Sequence, residues 1–173
     1  GIRDSVASRG LGDVYKRQAS SKVFASIKLI LLSLLISSLS GQIYSSQEEE
    51  VVEFIKNWAA LEGDLDAQAQ LIRDDRVMIS GANKWPDQSD NLMIQKERRS
   101  ATLKRDPNWK IIQTIISPEV RIYGNVAVAH FQRRFDFIAG EGEVSPPAFN
   151  NATMILVKDK GKWGISHTHF SQI

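Results

Sequence analysis

Residues 124–171, GNVAVAHFQRRFDFIAGEGEVSPPAFNNATMILVKDKGKWGISHTHFS, decide the fold. Gly124-Asn125 is a turn, and Val126 to Ile138 reads as a long strand rich in Val and Phe. Gly140 to Pro147 makes a loop, Phe149 to Val157 a second strand, and Asp159-Lys160-Gly161 a hairpin turn into a last strand, Lys162 to Ser171. Val, Ile, Phe and Thr fit a pleated surface, and Gly, Asn and Asp punctuate it. Upstream, Lys110 to Ile116 reads as a further strand that Glu119 to Tyr123 continues beyond Pro118. These segments predict an antiparallel meander.

Before Trp109 the period changes. Val51, Phe54, Ile55, Trp58 and Ala59 fall on one stripe of a helix over Gln47 to Leu61, the spacing of an amphipathic helix. Glu48, Glu49 and Glu50 occupy its first turn, where the helix dipole favours negative charge. Gly63 ends it, and Asp64 caps a short helix from Leu65 to about Ile72. Val77-Met78-Ile79 is a short strand, and Ser80 to Gln88 is a loop because Pro86 forbids regular helix. Ser89 or Asp90 caps a third helix from Asn91 to about Lys104, with a basic, solvated outer face. Helices followed by a run of strands predict an α+β domain with three N-terminal helices against one sheet face.

The chain has 173 residues and a net charge of +2. Residues 1–41 carry six bases against two acids, +4, which leaves the remainder at −2. The body therefore lacks the clustered basic surplus that neutralises phosphates, and no nucleic-acid partner is expected. With no Cys, thiolate chemistry, cysteine-ligated zinc and disulfides are excluded. Lys22 and Lys28 flank the apolar run Leu29 to Ile36, with small residues to Gly41. Residues 19–41 thus predict a signal peptide cut after Ser40 or Gly41, and an exported domain over 42–173. Membrane contact is expected only through that segment, if it is uncleaved. Residues 1–18 (GIRDSVASRGLGDVYKRQ) resemble translated sequencing-adapter read-through and are expected to be non-native.

Gly124 before Val126-Ala127-Val128-Ala129, then Arg133, Thr153, and Gly161-Lys162-Trp163 leading to His167-Thr168-His169-Phe170-Ser171, resemble the nuclear transport factor 2-like superfamily. That group includes SnoaL-like cyclases and ketosteroid isomerase relatives. Within it the sequence is most similar to the association domain of calcium/calmodulin-dependent protein kinase II. The likeness is strongest over 124–171 and weaker upstream. It implies a cone: a strongly curved antiparallel sheet wrapped around the helices, with a cavity at the wide end, in a domain that forms homodimers. It places Arg133 at the family's pocket arginine. Met154 stands where the kinase branch has another pocket arginine and Asn151 where it has an acid, so the pocket's charge differs from that branch.

Side-chain alternation assigns faces. On the last strand Trp163, Ile165, His167, His169 and Ser171 share one side; on the long strand Ala127, Ala129, Phe131, Arg133 and Phe135 do. The family likeness turns the faces bearing Arg133 and the histidines toward the cavity. The expected ligand-binding residues are Arg133, Trp85, Trp58, Thr153 and His169. Arg133 has two readings: capture of a ligand carboxylate, or pairing with an internal Asp or Glu. His167 and Asp75 are the candidate general bases, although Asp75 also fits a turn-stabilising role. His167 and His169 lack a third ligand, so no metal or cofactor is expected. The sequence thus predicts an exported homodimeric domain that binds a small anionic or amphipathic molecule. An isomerase, cyclase or dehydratase with Asp75 or His167 as base is the alternative, and an oligomerisation module is the third reading.

Overall fold

The computed structural model describes residues 45–173; the expectations for residues 1–18 and 19–41 lie outside the described residues. Helix α1 spans Ser46–Ala60 and begins with a reciprocal cap: the Glu48 N–H donates to Ser45 Oγ at 3.3 Å, and the Ser45 N–H to Glu48 Oε2 at 2.9 Å. This satisfies two amides that the first helical turn leaves without partners. The helix buries Val51, Val52, Ile55, Trp58 and Ala59, close to the predicted stripe. A 3-10 turn, Leu61–Gly63, leads to helix α2, Leu65–Ala69, which Asp64 caps. Helix α3 runs from Gln88 to Arg105, capped by Asp87 rather than by Ser89 or Asp90.

The strands are β1 (Ile72–Ser80), β2 (Asn83–Trp85), β3 (Lys110–Tyr123), β4 (Val126–Ile138), β5 (Ala148–Asp159) and β6 (Lys162–Gln172). They form one curved sheet in the order β2-β1-β6-β5-β4-β3. The C-terminal meander is antiparallel throughout. One pair departs from the expected pattern: β1 lies parallel to β6, joining the ends of the domain across the sheet. Strand β1 also begins earlier than predicted, taking Ile72 from the expected helix, and β2 forms a short hairpin within the expected loop. Among the described residues no helix is long and apolar enough to cross a membrane.

The core joins α1 to the inner face of the sheet. Ala127, Ala129 and Phe131 of β4, Ala152, Met154 and Leu156 of β5, and Trp163, Ile165 and Phe170 of β6 are buried with the α1 stripe. The main irregularity sits in β6. Leu156 pairs with Ile165, but Ile155 pairs with His167, so Ser166 is an extra residue on β6. Such a bulge shifts the alternation by one position. Trp163 and Ile165 face inward before it; Thr168 and Phe170 face inward after it. A second shift between Ile116 and Glu119, with Ser117 at φ 47°, bends β3 near Pro118.

Candidate functional site

Residues of the sheet's inner face and of α1, α2 and α3 line a hollow of about 190 Å³. Three arginines line it: Arg98 from α3, and two that are buried, Arg133 and Arg76. Arg133 comes from β4, where unbroken alternation carries it inward beyond Phe131. Arg76 comes from β1, on the same side as Met78 and Ser80. Both are buried, with 2% of Arg76 and 8% of Arg133 exposed.

Neither has a carboxylate within ion-pair distance among the described residues. Arg133 donates through Nε to Asn150 Oδ1 at 2.8 Å. Its guanidinium carbon lies 3.4 Å from the Phe170 ring centroid, 4.9 Å from Phe135 and 5.8 Å from Trp58. The surrounding aromatic rings favour the cation, while its terminal nitrogens make no hydrogen bond among the described residues. Arg76 donates to Thr168 Oγ1 at 3.3 Å and to Asn91 Oδ1, and its Nε is buried without a partner. Burial pushes Arg133 down to about 9, with Glu62 working against that fall and Arg76 adding to it. Burial likewise pushes Arg76 down to about 10. Both remain cationic at neutral pH.

The acid in the lining, Glu62, is engaged elsewhere. Its Oε1 accepts from Arg99 at 3.2 Å, and its Oε2 from the Gln68 side-chain amide at 3.0 Å. Trp58 Nε1, a donor on a cavity-lining side chain, is buried without a partner. The cavity therefore has unmatched positive charge and spare N–H groups. Buried polar groups normally find partners; what these lack is an acceptor, and an anion supplies it best.

The residues singled out from the sequence divide sharply. Arg133, Trp58 and Trp85 line the cavity together. Asp75 does not: its side chain is 64% exposed and is gripped by Arg73 through two hydrogen bonds of 2.9 Å. That guanidinium holds the Asp75 carboxyl below its usual range, the opposite of what a base tuned toward neutrality needs. The cause is local. Between Ile72 and Val77, β1 advances five residues while β6 advances two, from Ile165 to His167, so the segment bearing Asp74 and Asp75 is thrown outward.

The histidines are likewise outside. The Ser166 bulge reverses the face expected for His167 and His169, and neither lines the cavity. His167 pairs with Ile155 and Val77 on the outer face, where partial burial, His169 and Arg76 hold it below its ordinary value. His169 and Thr153 pair with each other on that face, and Thr153 Oγ1 lies 3.2 Å from His130 Nδ1. The inward placement expected for His167 and His169 is thus corrected by one extra residue, and that of Thr153 by the plain alternation of β5, whose inward residues are Ala152, Met154 and Leu156.

Sequence reading missed Arg76, Glu62, Gln68 and Asn91, all of which line the cavity. A signal for Arg76 existed. It stands two residues before Met78, so an inward Met78 carries Arg76 to the same face. Asn91 gave none, because its role depends on the angle at which α3 meets β1.

The SnoaL-like domain family matches residues 51–173. No curated protein matches the sequence. Solved structures with this fold include a nuclear transport factor 2-like protein from Salmonella enterica, 20% identical, covering 72% of this chain and 89% of that one at a TM-score of 0.58. The Chlamydamonas reinhardtii CaMKII hub homology domain is 18% identical, covering 75% of this chain and 99% of that one, at 0.58. The S. rosetta CaMKII hub is 20% identical, covering 76% and 100%, at 0.57. At such identities these likenesses establish the fold, a curved sheet around N-terminal helices, in agreement with the superfamily resemblance. With the family matched over most of its length, this chain belongs to the SnoaL-like domain family.

Proposed function

We propose that the domain binds a small anion, a carboxylate, in the cavity between Arg133 and Arg76. The observation that carries this reading is the burial of Arg133 without an internal acid. A buried guanidinium is costly unless paired. Of the two readings of Arg133, internal pairing finds no carboxylate within ion-pair distance among the described residues, and Glu62 is held by Arg99 and Gln68, so capture of an external acid is favoured. The planar fork, packed against Phe170, suits two parallel hydrogen bonds to carboxylate oxygens. Neither Asp75 nor His167 lines the cavity, so nothing in its geometry favours the isomerase, cyclase or dehydratase alternative.

Titration calorimetry of the full chain tests the reading. Acetate and benzoate are expected to bind, and acetamide and benzamide, which share their shapes without the charge, are not. A ceiling near 1.5 kcal/mol per non-hydrogen atom allows four-atom acetate no better than about 40 µM. Equal binding of acid and amide, or binding of neither, would remove the proposal.

The domain is also proposed to self-associate as a homodimer through the outer sheet face. The hub domains among its structural neighbours support this, as does the partly buried row Val128, Ile155, His167 and Val77, paired in that order across that face. Sedimentation should show a dimer that Ile155→Asp converts to monomer; a wild-type monomer at about 100 µM would contradict it. Export through residues 19–41 is proposed from their composition, and N-terminal sequencing of the mature chain should begin after Ser40 or Gly41.

A further inference from the structure

The anion cavity has an apolar extension. A second hollow of about 370 Å³ adjoins it and shares Glu62, Gln95, Arg98 and Phe135 with its lining. Beyond these its walls are mainly Leu65, Trp109, Ile111 and Phe137, with the stems of Arg99 and Thr102 from α3. Three of the aromatic side chains form a ladder. Phe135 and Phe137 stack with centroids 6.1 Å apart, and Phe137 and Trp109 stack at the same spacing. The ladder starts at the anion site, because the Arg133 guanidinium carbon is 4.9 Å from Phe135.

The order of side chains produces this track. Arg133, Phe135 and Phe137 occur at i, i+2 and i+4 on β4, so one strand face carries the cation and then two rings. Trp109 enters just before β3, whose Ile111 pairs with Phe137. Both rings of β4 remain partly exposed, unlike the fully buried inner residues farther down the same strand. A row of half-open rings leading away from an unpaired guanidinium has the form of a head-and-tail site.

We infer that the ligand is an amphipathic monocarboxylate whose acid group meets Arg133 and Arg76 while an alkyl or aryl tail lies along Phe135, Phe137 and Trp109. This rests on the anion reading and adds the substrate class. Glu62, at the junction, does not repel the head group strongly, because Arg99 and Gln68 already hold its two oxygens. Hydrophobic burial supplies the affinity the head alone lacks: each methylene moved from water to an apolar surface tightens binding up to about fourfold.

Calorimetry of the full chain with acetate, butyrate, hexanoate and octanoate tests the inference. Affinity is expected to rise about 5- to 15-fold for each added pair of methylenes after butyrate. Octanol, with the tail but no charge, is expected to bind at least 30-fold more weakly than octanoate. Phe137→Ser, checked for folding by circular dichroism, should flatten the rise; a rise that stays as steep in the folded variant would overturn the assignment of the tail to this hollow. If that variant does not fold, Trp109→Ser, in the wall of the same hollow, takes its place with the same two outcomes. Equal affinity for butyrate and octanoate would overturn the tail and leave the anion site standing. Octanol binding as well as octanoate would overturn the head-and-tail arrangement. Failure of every acid would remove the anion site itself, and this inference with it.

Discussion

Arg133→Met is expected to weaken carboxylate binding at least about 100-fold while changing unfolding free energy by no more than about 1 kcal/mol. The binding loss follows from the fork. Two charge-assisted hydrogen bonds of roughly 1.5–3 kcal/mol each disappear together, and Met offers no donor in their place. The stability argument runs differently. In the free protein the guanidinium is buried with no acid in ion-pair contact and only partial help from Glu62 against its desolvation, so an apolar side chain of similar length removes a cost. Against that gain stand the contact with Phe170, about 0.5–2 kcal/mol, and the Asn150 hydrogen bond, about 0.5–1.5 kcal/mol. Asn150 is only partly buried and can turn to water. The terms nearly cancel. Urea denaturation with and without 100 Kd of benzoate checks both halves. The ligand should stabilise wild type by about 2.7 kcal/mol and the variant negligibly. A variant that loses several kcal/mol without ligand would make Arg133 a structural residue, comparable to the core residue Met154, where truncation to Ala should cost about 2–5 kcal/mol.

Phe170→Ala is expected to cost about 3–5 kcal/mol, whereas His169→Ala should stay within about 0.5 kcal/mol of wild type. The contrast is set by Ser166, the extra residue that shifts alternation in β6. Because of it Thr168 and Phe170 face inward and are buried, while His169 faces outward and is exposed. Plain alternation through Ser166 would put His169 in the core and Phe170 outside, and would reverse the two effects. Deleting Ser166 should keep the present faces, because Ile165 followed directly by His167 and Thr168 is then regular in-out-in alternation. Thermal unfolding by circular dichroism compares the variants. A His169→Ala variant that loses as much stability as Phe170→Ala would mean the bulge does not set the faces of β6.

Arg133 and Ser166 also mark how far the sequence could be read. Ala127 to Phe135 alternate without interruption, so the inward face of β4, including Arg133, was legible from period two alone. The same rule applied to β6 sent His167 and His169 inward, because nothing local distinguishes Ser166 as an inserted residue. The bulge follows from pairing with Ile155 and Leu156, a long-range condition. Asp75 was misplaced for a similar reason: its outward turn reflects the uneven advance of β1 along a parallel partner almost a hundred residues away. The α1 stripe and the strand order of the meander depend on local period and short turns, and both were legible. The parallel β1–β6 pairing, the tilt of α3 and hence Asn91 depend on tertiary packing, and they were not. Arg76 lies between these cases. Its face followed from Met78, but a three-residue strand centred on Met78 was too short to draw it in.

The central claim is that an unpaired guanidinium pair faces an acid site. A crystal structure of the full chain grown with benzoate tests it most directly. The predicted result is one carboxylate held by Arg133 through both oxygens at about 2.7–2.9 Å, within reach of Arg76, and with its ring toward Phe135. Benzoate lodged on the outer sheet face beside His167 and His169, with Arg133 turned onto a protein carboxylate, would contradict it.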